Sequence, residues 1–131
     1  MRNGRRGVLL LAAVAVLAAG CSSAAPSAKS IAARIPGCTS PGAPLLGVSA
    51  DAVQEVRCPT SWGTVWVATF SSAALERSWL SADAAGGGGN DCIQGSGWAA
   101  QVSPSNFPTY PYDRKVMRAI GGRMVTIGSC G

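Results

Sequence analysis

An unbroken apolar run, Val8 to Ala19, ends two residues before Cys21 and stands behind Arg2, Arg5 and Arg6, with no acid among them. Its twelve residues fall short of the ~20 that a membrane-crossing helix needs. With no polar face, the run also makes a poor surface helix for a globule. A basic head, a short apolar core and the small residues Ala18, Ala19 and Gly20 form the layout of an export signal that is cut away. The folded part is then confined to residues 21–131, one domain's worth, and to an oxidising compartment.

Loss of residues 1–20 changes the charge. Three of the eleven basic residues go with them, leaving eight Lys or Arg against six Asp or Glu. The basic character of the whole chain is mostly that of its leader. Nucleic-acid binding would need a concentrated basic stripe. The nearest approach, Arg114-Lys115-Val116-Met117-Arg118, reads as one solvated helical face.

The chain has five cysteines, Cys21, Cys38, Cys58, Cys92 and Cys130, and no histidine. No Cys-x-x-Cys is present, so neither zinc nor any other metal or cofactor is expected. Leu17 followed by Ala18-Ala19-Gly20-Cys21 resembles the lipobox of bacterial lipoproteins, with Ala18 where leucine is most common. The resemblance implies a diacylglyceryl group on the Cys21 sulfur, cleavage just before that residue, and acyl chains such as palmitate holding the domain at the extracytoplasmic face of the cell membrane. Two chains anchor stably where one is marginal. The domain behind Cys21 resembles small envelope lipoproteins in general layout. Four cysteines then remain for two bridges. Sequence neighbours suggest Cys38–Cys58 with Cys92–Cys130. The sheet order expected below sets Cys92 and Cys130 on opposite edges, and so favours Cys58–Cys130 with Cys38–Cys92.

Behind the anchor, "SSAAPSAKS" (Ser22 to Ser30) has the composition of a flexible linker, and a tether is expected over residues 21–36, with one helical turn at its end. The domain then covers residues 37–131. A strand is expected from Ala52 to Cys58, a turn over Pro59 to Gly63, and a strand covered on both faces over "TVWVATF", Thr64 to Phe70. Ser71 and Ser72 offer caps for a helix reaching Ala85, which Gly86 to Gly89 end. Gly95-Ser96-Gly97 marks a hairpin. Asp113 starts a second helix through Ile120, and Arg123 to Gly128 form a last strand. The series from Thr64 is β-α-β-β-α-β, which predicts an α+β fold: a small antiparallel sheet with two helices on one face, ferredoxin-like, with an extra N-terminal strand.

Chemistry is sparse. Without histidine there is no Ser-His or Cys-His machinery, and the acids are scattered as caps, loop residues or exposed helix positions. No catalytic residue is therefore expected. The segment Ser105 to Asp113 carries Phe107, Tyr110 and Tyr112 between Pro108 and Pro111, a stiff aromatic loop suited to ligand contact, with Trp62 as a fourth ring. Trp66, Trp79 and Trp98 are expected in the core. The expectation is a lipid-anchored envelope module that binds a ligand or a protein without catalysis. The alternative is an envelope enzyme or enzyme inhibitor acting through Phe107–Asp113.

Overall fold

Thr64 to Thr69, rich in β-branched residues, lies on an interior strand of an antiparallel sheet, paired on both sides, as its composition predicts. The computed structural model describes residues 25–85, 91–105 and 112–125. Its elements are α1 (Ala28–Ala32), β1 (Gln54–Thr60), β2 (Gly63–Thr69), α2 (Ala73–Ala85), β3 (Asp91–Gln94), β4 (Trp98–Pro104), α3 (Tyr112–Ile120) and β5 (Arg123–Val125). The five strands stand in the order β1-β2-β4-β3-β5, and every neighbouring pair is antiparallel. The fold is α+β.

The strand order departs from the ferredoxin-like expectation, which would set the last strand beside β2. That edge is held by β1, whose last residue Thr60 pairs with Gly63 across the turn Ser61-Trp62. A two-residue turn closes with little loss of chain entropy, so β5 pairs instead on the free side of β3. Pro59 lies inside β1, where a turn was expected. The outward backbone groups of Arg57 bond Gly42, and Pro59, two residues on, turns its nitrogen to the same outer edge, where no ladder donor is needed.

The two longer helices do not share a face. Side chains alternate along a strand, and β2 sends Val65 and Val67 one way and Trp66 and Ala68 the other. Val116 and Ile120 of α3 pack with Val65, Val67, Ile93, Ala100 and Val102. Trp79 and Leu80 of α2 pack with Ala68, Cys92, Ala99 and Val125 on the opposite face. The partner of α3 on its own face is α1, with Ala28, Ile31 and Ala32 wholly buried.

That packing shortens the expected tether. Ser27 caps α1: its Oγ accepts the Ser30 N–H at 3.0 Å, and the Ser30 hydroxyl donates to Ser27 O at 2.9 Å. The Ala28 N–H donates to Gln54 Oε1 at 3.0 Å, joining the helix to the start of β1. Ile35 is also buried, so residues 28–35 are part of the folded domain and place Ala28, Ile31, Ala32 and Ile35 in its core. A fully buried Ile31 contributes ~1.5–3 kcal/mol, which no free linker would supply.

Cys38 and Cys58 form a disulfide with a Cα–Cα distance of 5.6 Å and a separation of 20 residues. The pairing Cys58–Cys130 with Cys38–Cys92 is thereby excluded. It had been favoured only by the ferredoxin-like strand order, which the sheet does not adopt. In the chain-entropy picture a loop of this length stabilises the fold by ~3 kcal/mol.

The hairpin at Gly95-Ser96-Gly97 is present, closed by the Gly95 N–H donating to Trp98 O at 2.9 Å. Gly97 takes a positive φ of 74°. A Cβ on Gly95 would run into the indole of Trp98, which is 8% exposed. Ser72 caps α2 as predicted, its Oγ accepting the Leu75 N–H at 3.3 Å.

Candidate functional site

The sheet face under α2 is only partly covered. Trp79 and Leu80 seal its β3–β5 side, while towards β1 the half-buried Glu55, Arg57 and Trp66 come to the surface. Paired strands set these residues together: Arg57 stands opposite Trp66, and Trp66 opposite Gln101. The bottom of the opening is therefore indole flanked by guanidinium on one side and carboxamide on the other.

The second wall comes from the chain before β1. Gly42 exchanges two backbone hydrogen bonds with Arg57, of 3.0 and 2.8 Å, on the outer edge of the sheet. The chain turns over Pro44 to Gly47, where the Gly47 N–H donates to Pro44 O at 3.1 Å and Gly47 takes φ 82°. It returns at Ser49, whose N–H donates to Glu55 Oε2 at 2.9 Å. Asp51 then reaches α2, accepting the Ser78 hydroxyl at 3.0 Å.

Loop and helix thus bound a groove made of two cavities of about 430 Å³ each, which share Ser49, Glu55 and Trp66. One runs under the loop past Leu45, Val48 and Arg57; the other runs towards α2 past Asp51, Trp79 and Gln101. The Ser49 hydroxyl has no hydrogen-bond partner among the described residues. A flat aromatic floor with a few convergent polar groups is the usual make-up of a small-ligand site. It holds no histidine to activate a nucleophile; its charged groups are the Asp51 and Glu55 carboxylates and the Arg57 guanidinium. Among the described residues no cluster of three or more His, Cys, Asp or Glu could hold a metal ion.

Of the aromatic residues singled out from the sequence, Trp62 and Tyr112 lie elsewhere. Trp62 and Tyr112 stack face to face, with centroids 4.8 Å apart and planes 4° from parallel, and Lys115 Nζ stands 5.6 Å from the Tyr112 centroid. Two of the four rings are therefore brought together, each occupying a face of the other. Phe107 and Tyr110 lie outside the described residues, as do Cys21 and Cys130. Cys92 is buried in β3, opposite Val125 of β5. Asp113, expected as a cap, is buried in the first turn of α3 with its Oδ1 accepting the Arg114 N–H at 2.6 Å.

Trp79 and Trp98 are core residues, as expected, while Trp66 is half-buried, packed against the Trp79 cluster and open on one side to the groove. A signal for this lay in β1. Glu55 and Arg57, two residues apart, face the same side of the sheet as Trp66, and two charges there mark that side as wet. Glu76, expected as an exposed or capping acid, is 4% exposed in the first turn of α2, and its Oε1 has no hydrogen-bond partner among the described residues.

Comparison with known proteins gives no relative: no family model, no curated protein and no solved structure matches the chain.

Proposed function

We propose that this protein is a lipid-anchored module on the extracytoplasmic face of the cell membrane that binds a polar envelope ligand in the Trp66 groove, without catalysis. The anchor reading is supported by the order of basic head, apolar run, small residues and Cys21. The binding reading is carried by one observation, a half-buried tryptophan open to a groove between charged and amide side chains on an interior strand. The ligand class that suits it is a sugar ring of a wall polymer. The C–H face of a pyranose stacks on indole, while its hydroxyls bond the Glu55 and Asp51 carboxylates, the Gln101 amide and the Arg57 guanidinium.

The test is titration of intrinsic tryptophan fluorescence with soluble wall-glycan fragments. Saturable change is expected, weakened at least tenfold in Trp66→Ala, which corresponds to ~1.4 kcal/mol. Equal binding by wild type and Trp66→Ala would sink the groove reading. The anchor is tested separately by the intact mass of membrane-extracted protein, which should carry acyl mass on Cys21 and lose it in Cys21→Ser.

A further inference from the structure

We infer that the turn bearing Leu45 and Leu46 docks into the lipid surface that holds the anchor. This rests on the reading of Cys21 as lipidated and adds to it a second membrane contact, made by the folded domain itself. The large hydrophobic side chains left exposed among the described residues are Leu45 (84%), Leu46 (102%), Val48 (51%) and Val53 (62%), all within one nine-residue segment. Single exposed apolar side chains are ordinary, but four from one segment mark an interaction surface. The turn is suited to lipid in a second way: residues 35–50 contain no charged side chain, and Asp51, the one charge of the nine-residue segment, accepts the Ser78 hydroxyl on α2, so no ion has to leave water when Leu45 and Leu46 enter the headgroup zone. Its Gly47 N–H is already bonded to Pro44 O at 3.1 Å.

Chain length decides what covers this surface. Ala25 and Pro26 border the same cleft as Val53 and Gln54, so the chain leaves the fold beside Val53, the last residue of the apolar segment. Four residue steps separate Ala25 from Cys21, and an extended chain spans at most ~3.6 Å per residue. The exit is therefore held within ~14 Å of the anchored residue, less than half the ~34 Å breadth of a domain of this size. What surrounds the exit faces the bilayer.

The full chain, purified from bacterial membranes and reconstituted in phosphatidylglycerol–phosphatidylethanolamine vesicles, tests this with a tryptophan placed at the turn. In Leu46→Trp the added emission should fall at least twofold when the lipids carry bromine near the top of their acyl chains. In Arg118→Trp, on the opposite face of the sheet, it should not change. Both positions are exposed, so neither change disturbs the core. Acyl mass on Cys21 together with no greater quenching at position 46 than at position 118 would overturn the inference. So would crosslinking of position 46 to another protein in place of lipid. An unmodified Cys21 would instead defeat the anchor reading, and this inference with it.

Discussion

The backbone N–H of Ser49 donates to Glu55 Oε2 at 2.9 Å, and through this bond the loop over the groove hangs from the edge strand. Removing a half-buried carboxylate that accepts a backbone N–H costs ~1–2 kcal/mol, more than a neutral hydrogen bond contributes. Glu55→Ala should therefore raise amide exchange over residues 47–49 while leaving β2 and β4 protected. Glu55→Gln keeps an acceptor and should show a smaller effect. Unchanged exchange in Glu55→Ala would mean that the Gly42–Arg57 bridge and the Asp51–Ser78 bond hold the loop without it.

The register of β3 and β5 bears on the remaining cysteines. Cys92 faces Val125 across the pair, and Cys130 follows five residues later, a span the chain covers easily. With Cys38 and Cys58 already joined, Cys92–Cys130 is the expected second bridge. Peptide mapping of the non-reduced protein should recover the two peptides linked. Alkylation of Cys92 in denatured, non-reduced protein would contradict it.

Gly95 makes room for an indole. A Cβ there would overlap the Trp98 ring, which also lies close to Gly122, whose φ is 87°. Overpacking of this kind costs ~1–3 kcal/mol, so Gly95→Ala should lower the midpoint of urea unfolding and weaken the near-ultraviolet circular dichroism of Trp98. Gly42→Ala, where nothing lies within 4 Å of the added carbon, serves as the comparison and should leave both signals in place.

The Trp62–Tyr112 stack joins the β1–β2 turn to the first residue of α3. Stacked pairs contribute ~0.5–1.5 kcal/mol beyond the area they bury. A double-mutant cycle with Trp62→Ala and Tyr112→Ala should return a coupling in that range by chemical denaturation, and both single variants should still bind any ligand of the Trp66 groove. Loss of binding in Trp62→Ala with the fold intact would move the site to this end of the sheet.

The elements that the sequence made legible are those whose signals are local. Ser72 caps the helix that starts at Ala73, Gly95 to Gly97 turn the hairpin, and α3 presents Val116 and Ile120 inward at helical spacing. Each depends on φ preferences, caps or side-chain period within a few residues. The start of α1, at Ala28 to Ser30, misled for the opposite reason, since a helical turn is expected only from Ile31 to Pro36. "SSAAPSAKS" has the small, polar composition of a linker, and the helix reaches back into it because Ile31 finds a pocket against β2 and α3, far away in sequence.

Local chemistry along the chain was thus enough to establish an α+β domain, its hairpin and its two longer helices, because turns, caps and periodicity act between near neighbours. The sheet edge taken by β5, the face taken by α2, the burial of α1 and the half-open position of Trp66 were settled by tertiary packing alone. Those outcomes turn on which distant surfaces exclude water together, and no window of a few residues contains that information.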